Sequence, residues 1–130
     1  MTDRPVQLVL DTSAILDYCR GSLPVGELLV EIDAAAGAVA LPLLCLVEAA
    51  NVNPDDEHWL DMLVQHPATT VVSDDAELWK VLAAIRNSVG RVDAASAALM
   101  ALDYDVDVAT RTPGLYAGLG GGGFVLPLED

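Results

Sequence analysis

Short apolar segments alternate along this chain with longer segments that have helical periodicity. Most of the short segments lack the regular polar alternation of a strand that has one face in water. Strands of this kind are buried on both faces, as in parallel sheets that are covered by helices. The alternation therefore predicts an α/β fold, a three-layer sandwich around a mainly parallel sheet of five strands. The predicted strands are Gln7–Leu10, Ala38–Leu41, Thr69–Val72, Asp107–Ala109 and Phe124–Leu126.

The segments between these strands carry the start and stop signals of helices. Asp11, Thr12 and Ser13 are good N-cap residues, Pro24 suits a first helical turn, and Gly37 is a helix stop. The chain has no linker and no internal repeat, so we expect one domain over residues 1–130. The predicted helices are Ala14–Cys19, Pro24–Ala36, one that starts at Pro42 and contains Glu48, Glu57–His66, Ala76–Val89 and Val92–Leu102.

Length and composition fit a cytoplasmic globular protein. A chain of 130 residues that is 53% hydrophobic can bury a core, which excludes a disordered chain. Gly37 and Pro42 interrupt the longest apolar run, which is shorter than the roughly 18 residues of a membrane helix, and the N-terminus turns acidic too early for a signal peptide. Without a secretion signal, Cys19 and Cys45 are expected to be buried, unpaired thiols.

Three carboxylates stand at positions where an α/β fold binds ligands. Asp11 ends the first predicted strand, Glu48 lies in the helix after the second, and Asp93 opens the alanine-rich helix. Ligands in parallel α/β folds bind beyond the carboxyl ends of the strands, so these side chains are expected to converge there. Several like charges in one pocket need a cation, and oxygen ligands select Mg²⁺ or Mn²⁺. The sequence thus indicates a divalent-metal site.

Each of these acids also has a simpler explanation. Asp11 would serve as a helix N-cap, Asp93 would complement the helix dipole, and Glu48 would be a surface residue. Helical spacing, however, places Glu48 on a face with apolar neighbours, and we expect it to point inward. Asp17 is expected on the exposed side of its helix. The remaining acids are assigned to turns and solvated helix starts.

The charge of the chain argues against simple binding of nucleic acid. Six Lys and Arg residues stand against twenty Asp and Glu residues, and the formal net charge is −14. Proteins that bind phosphates usually carry a basic stripe, whereas the basic residues here are scattered. Either bound metal cations bring a nucleic acid substrate to the site, or nucleic acid is not the substrate.

Four segments, in this order and spacing, resemble the PIN-domain family, and most closely its small VapC-type toxins. They are VLDTSAIL, LPLLCLVEAAN, VDAASAALMAL and VATRTPGLYAGL. The resemblance implies a Mg²⁺- or Mn²⁺-dependent endoribonuclease, a hydrolase of RNA phosphodiester bonds from a type II toxin–antitoxin pair. It further implies a homodimer and an antitoxin partner. Asp11, Glu48 and Asp93 match the catalytic, metal-binding acids, while Ser13 and Thr110 match supporting hydroxyls.

The chain departs from the family pattern at one position of the site. Thr112 stands where the family often has a fourth acid, two residues after Thr110. A threonine offers a neutral oxygen and no charge, so a second metal would be held weakly, and a catalytically weakened or inactive PIN-fold binding module is the alternative. Phosphoryl-transfer proteins of similar fold are disfavoured. Position 13 is Ser where a dehalogenase-like phosphatase needs Asp, and a response-regulator receiver needs a Lys near the last strand, whereas the only lysine, Lys80, lies inside a helix.

Overall fold

A five-stranded sheet, parallel throughout, forms the centre of the molecule. The computed structural model describes residues 4–129, and in it the strands follow the order β3-β2-β1-β4-β5. The register places Leu8 beside Val39 on one side and beside Asp107 on the other. The predicted parallel sheet is confirmed. Its strands are β1 (Val6–Leu10), β2 (Ala38–Pro42), β3 (Thr69–Val72), β4 (Asp107–Thr110) and β5 (Val125–Pro127).

Within residues 4–129, six helices complete a three-layer α/β sandwich. Each predicted helix is present, and its ends coincide with the observed ones or differ by at most three residues. The largest difference is at Ala76–Leu78, which forms a separate 3₁₀ turn, so the long helix begins at Trp79. The helices are α1 (Thr12–Cys19), α2 (Leu23–Ala34), α3 (Leu43–Val52), α4 (Glu57–Val64), α5 (Trp79–Val89) and α6 (Val92–Tyr104). None of the helices in residues 4–129 is long and apolar enough to cross a membrane.

The core lies on the three inner strands. Every residue of β2 is buried, as are Leu8–Leu10 of β1 and Val108–Thr110 of β4, because helices cover the sheet. The edge strands β3 and β5 are only partly buried. Small residues of α6, mainly alanines, allow this helix to pack closely against α5 and the sheet. The inner strands are therefore buried, as the sequence predicted for continuously apolar strands.

The strand order reverses between β1 and β4. From β1 the chain moves outward through β2 to β3, and it then crosses to β4 on the other side of β1. Helices that connect strands in opposite directions leave a crevice at the carboxyl ends of the two central strands. Asp11 follows β1 at this point and Thr110 ends β4, and the amide of Asp11 lies 3.4 Å from the carbonyl oxygen of Ala109. The fold thus places both residues at the usual ligand site of an α/β sheet.

The segment from Pro113 to Gly123 connects β4 to β5 through two 3₁₀ turns. The first, Pro113–Tyr116, carries the buried Tyr116 back beneath the end of β1. The second, Gly120–Gly122, has a positive φ at each residue, with 76° at Gly121, which favours glycine. This segment is therefore a defined turn, and its backbone conformation explains the glycine run.

Candidate carboxylate site

Asp11 is buried and accepts three hydrogen bonds. Its side chain is an N-cap of α1, since Oδ1 accepts from the amide of Ala14 at 3.1 Å and from Ser13 Oγ at 2.6 Å. Oδ2 accepts from the Tyr116 hydroxyl at 2.7 Å. All three donors are neutral, and the residue is only 3% exposed. The N-cap explanation is thus correct as far as it goes, but it accounts for only one of the two carboxylate oxygens.

Tyr116 is a site residue that the sequence-based prediction did not include. It is fully buried, and its ring packs edge-to-face on Phe124 at 5.7 Å between ring centroids. Burial and then the nearby Asp11 carboxylate raise the pKa of Tyr116 far above its usual value, so its hydroxyl stays a donor. Because Tyr116 lies in a 3₁₀ turn rather than in a periodic element, no pattern in the sequence indicated its burial.

Asp93 lies in the first turn of α6, as predicted, and it is buried beside α1. Its Oδ2 accepts from Thr12 Oγ1 at 2.6 Å, which joins the start of α6 to the start of α1. Burial acts to raise the pKa of Asp93, but hydrogen bonds from Arg91 and Thr12 outweigh it, and the pKa lies below its usual value. Cys45, which is buried and unpaired as expected, donates its Sγ–H to the Asp93 carbonyl oxygen at 3.2 Å.

Arg91 connects Asp93 to Glu48. Its Nε donates to Asp93 Oδ1 at 3.0 Å, and its Nη2 lies 3.3 Å from both Asp93 Oδ2 and Glu48 Oε1. Those two carboxylate oxygens are therefore no further apart than about 6.6 Å, twice the shared distance. These contacts, the one to Asp93 above all, raise the pKa of Arg91. The sequence-based prediction overlooked Arg91, although it is a lone base two residues before a predicted ligand.

Glu48 lies at the edge of the site rather than inside it. Its side chain is 39% exposed, and Val52 on the same helical face is exposed as well. The expectation that Glu48 points inward among apolar neighbours is wrong, because α3 buries Cys45 and Ala49 and leaves Glu48, which lies between them in the sequence, partly exposed. Glu48 reaches the other acids through Arg91.

The three hydroxyl residues of the prediction form one chain of contacts. Ser13 Oγ, which donates to Asp11, accepts from the amide of Arg111 at 2.9 Å and lies 3.3 Å from Thr110 Oγ1. Thr110 Oγ1 in turn accepts from the amide of Thr112 at 3.0 Å. Ser13 and Thr110 thus hold the loop after β4 against Asp11. Thr112 is exposed, with its hydroxyl 3.3 Å from that of Thr110.

A cavity of about 320 Å³ opens above these residues. Asp11 and Asp93 both line it, and so do Thr112, Tyr116 and Arg91. The structure therefore brings together two of the three predicted acids and the residue at the fourth-acid position. Glu48 lies outside this lining and is joined to it by its contact with Arg91.

The donor set of the cavity suits a hard divalent cation in its chemistry. Carboxylate and hydroxyl oxygens are the ligands that Mg²⁺ and Mn²⁺ prefer. Across residues 4–129, however, no three His, Cys, Asp or Glu side chains are close enough to hold a metal ion in this conformation. The oxygen ligands fit the cation by their chemistry, while in this conformation Arg91 lies between Glu48 and Asp93.

Asp17 is buried, contrary to the expectation that it lies on the exposed side of its helix. It is only 2% exposed, and its carboxylate binds Arg111 Nε through Oδ2 and lies 3.4 Å from Arg20 Nη1 through Oδ1. α1 turns this residue toward the loop after β4 instead of toward solvent, and the two arginines compensate its charge. The Asp17–Arg111 ion pair therefore fixes the loop that carries Thr112.

No protein-family model matches this chain, and a search of curated protein sequences finds no match. The resemblance to PIN-domain proteins consequently rests on the four sequence segments alone. The site itself must be interpreted from its own geometry and charge.

Proposed function

We propose that the protein is a Mg²⁺- or Mn²⁺-dependent endoribonuclease that resembles the toxin of a type II toxin–antitoxin pair. The observation that carries the proposal is the charge of the site. Asp11, Glu48 and Asp93 bring three negative charges, and the guanidinium of Arg91 contacts two of these residues, Glu48 and Asp93. Two negative charges remain, which a single divalent cation would balance.

Asp11 is the strongest support for a bound cation. A buried carboxylate normally has a cationic partner or a metal, because removal of its charge from water is costly. Within the described residues, the hydrogen bonds that Asp11 accepts come from the neutral Ser13, Ala14 and Tyr116. A helix N-cap alone would be satisfied at the surface. The position of Asp11 at the strand-order reversal favours a ligand-binding role instead.

The chemistry assigned to the site is hydrolysis of a phosphodiester. A divalent cation supplies a nucleophilic water at neutral pH and stabilises the negative charge that develops on phosphorus-bound oxygens. Asp11 and Asp93 would hold and orient that cation from the cavity, and Glu48 would do so from its edge. Ser13 fixes the orientation of Asp11, and Thr112 offers a neutral oxygen where a further acid would strengthen a second cation site.

RNA is the proposed substrate, and the charge of the chain then requires a dependence on cations. With a net charge of −14, the protein repels a phosphate backbone at long range. Bound and free divalent cations reduce this repulsion. An antitoxin partner and a homodimer, which follow from the family resemblance alone, and a cytoplasmic location complete the proposal.

The decisive experiment measures RNA cleavage by the purified protein with Mn²⁺, with Mg²⁺ and with a chelator. We expect cleavage only with metal, and its loss in Asp11→Asn, which keeps the size of the side chain and removes its charge. Asp103→Asn is the matched control, because it makes the same change at an exposed residue of α6. Absence of cleavage with either metal, or full activity in Asp11→Asn, would contradict the proposal.

A catalytically inactive PIN-fold binding module is the second candidate. Two observations favour it: Thr112 at the fourth-acid position, and Arg91, whose guanidinium already binds two of the acids. Calorimetric titration separates the candidates. Measurable Mn²⁺ binding that disappears in Asp11→Asn supports the nuclease, whereas an intact site that binds neither metal supports the binding module.

A further inference from the structure

We infer that Arg91 is an internal counter-ion that competes with the divalent cation for Asp93 and Glu48. The inference rests on the proposed function, since it concerns the same carboxylates. In this closed state of the site, the guanidinium of Arg91 balances the carboxylate charge that a metal would otherwise balance. Metal binding would then require Arg91 to leave.

The geometry of Arg91 is that of a specific carboxylate partner. Its Nε and Nη2 atoms contact the two oxygens of Asp93 at 3.0 and 3.3 Å, the forked arrangement that arginine makes with carboxylates. Its Nη2 also lies 3.3 Å from Glu48 Oε1. One guanidinium therefore spans two residues that the proposed site needs as ligands.

These contacts occupy the oxygens that a metal would use. Asp93 Oδ1 accepts from Arg91, and Oδ2 accepts from both Arg91 and Thr12. A cation at bonding distance would need lone pairs that now point at N–H groups, and it would be repelled by the positive charge of the guanidinium. Arg91 and a divalent cation thus exclude each other at Asp93.

The surroundings of Arg91 allow it to leave. Its side chain is 47% exposed, and it lies at the N-cap position of α6 without making a side-chain cap. Partly exposed ion pairs are weak, because water solvates both partners when they separate. Asp93, by contrast, is buried and is held by Thr12 as well. The carboxylate is therefore fixed while its arginine partner is free to turn into solvent.

Competition of this kind lowers the apparent affinity for metal by the fraction of molecules in which the site is open. Removal of the guanidinium should therefore tighten metal binding. We expect Arg91→Gln to bind Mn²⁺ about tenfold more tightly than the wild-type protein, within the range usual for coupling between two ligands.

The test is calorimetric titration of Mn²⁺ into the wild-type protein, Arg91→Gln and Arg86→Gln. Arg86 is exposed on α5, so its replacement removes one positive charge without opening the site, and it corrects for the change in net charge. Thermal unfolding with and without Mn²⁺ gives a second measurement that does not depend on cleavage. We expect Arg91→Gln to be the less stable protein without metal and to gain the most from it.

The outcomes separate this inference from the proposed function. Tighter binding in Arg91→Gln than in Arg86→Gln supports the competition. Equal affinity in the two variants, or weaker binding in Arg91→Gln, overturns it and leaves the metal site intact. If all three folded proteins fail to bind Mn²⁺, both the competition and the metal-dependent function are overturned.

Discussion

Replacement of Tyr116 by phenylalanine removes one oxygen atom from the centre of the site. The ring is fully buried and packs on Phe124, so the variant retains its hydrophobic contacts. What it loses is the hydroxyl that lies 2.7 Å from Asp11 Oδ2, the donor to that oxygen. Ser13 and the amide of Ala14 still bind Oδ1. The substitution therefore isolates a single hydrogen bond to a buried carboxylate.

The expected cost follows from the charge of the acceptor. Hydrogen bonds to charged groups contribute about 1.5–3 kcal/mol to stability, more than bonds between neutral groups. Asp11 also lines a cavity of about 320 Å³, into which water can enter and replace the lost donor in part. The loss should thus lie near the lower limit, about 1.5–2 kcal/mol. For a domain of this size it corresponds to a fall in melting temperature of roughly 4–10 °C.

Urea denaturation of the metal-free protein measures this difference directly. The matched control is Tyr104→Phe, which makes the same change at the exposed end of α6, where we expect an effect within about 0.5 kcal/mol. If both variants unfold at the wild-type urea concentration, the hydroxyl does not stabilise the Asp11 carboxylate. The account of Asp11 as a carboxylate oriented by neutral donors would then be wrong.

Three further predictions concern the surroundings of Asp11. Thr112→Asp should supply a fourth acid and tighten Mn²⁺ binding, measured by calorimetry, about tenfold. The stability of the metal-free protein should fall because like charges repel, and an unchanged affinity for Mn²⁺ would show that position 112 does not face the cation. Asp17→Asn should cost about 2–3 kcal/mol in urea denaturation, less than a fully buried pair because Arg111 is partly exposed; a wild-type midpoint would refute the ion pair. Burial, and then Asp56, raises the pKa of Cys19 to about 11, and burial raises that of Cys45 further, so neither thiol should react with iodoacetamide at pH 8 until denaturant is added. Above about pH 9 the thiols ionise in the unfolded chain but stay protonated in the folded protein. The free energy of unfolding should therefore fall as the pH rises above about 9.

The fold was predictable because its signals are local. Four or five apolar residues in a row indicate a buried strand, and Pro24 and Gly37 mark helix ends, wherever the rest of the chain lies. Parallel pairing then follows from the helices between the strands. The prediction was least accurate where propensity is weak, as at Ala76–Leu78, whose polar surroundings form a tighter turn before α5.

The site was predictable only in part because its contacts are long-range. The places of Asp11 and Asp93 in the site could be predicted because one ends a strand and the other begins a helix, and both line the cavity. The inward orientation of Glu48 was not correct, since a helical face defined by apolar neighbours does not say which of them the sheet covers. Tyr116 and Arg91 make contacts that depend on how the loop after β4 and the start of α6 are folded, and no spacing rule encodes these.

The reversal of strand order also bears on when the site is assembled during synthesis. The hydrogen bond between Thr12 and Asp93 joins residues that are 81 positions apart in the sequence, and the one between Asp11 and Tyr116 joins residues 105 positions apart. A ribosome that has just completed β1 to β3 has produced Asp11 without Tyr116, Asp93 or the β4 strand beside it. Contacts between residues so distant in sequence form late in folding, because the entropy of the intervening chain opposes them. A truncated or nascent chain is therefore expected to be inert, and any activity of this protein should begin only with the completed sheet.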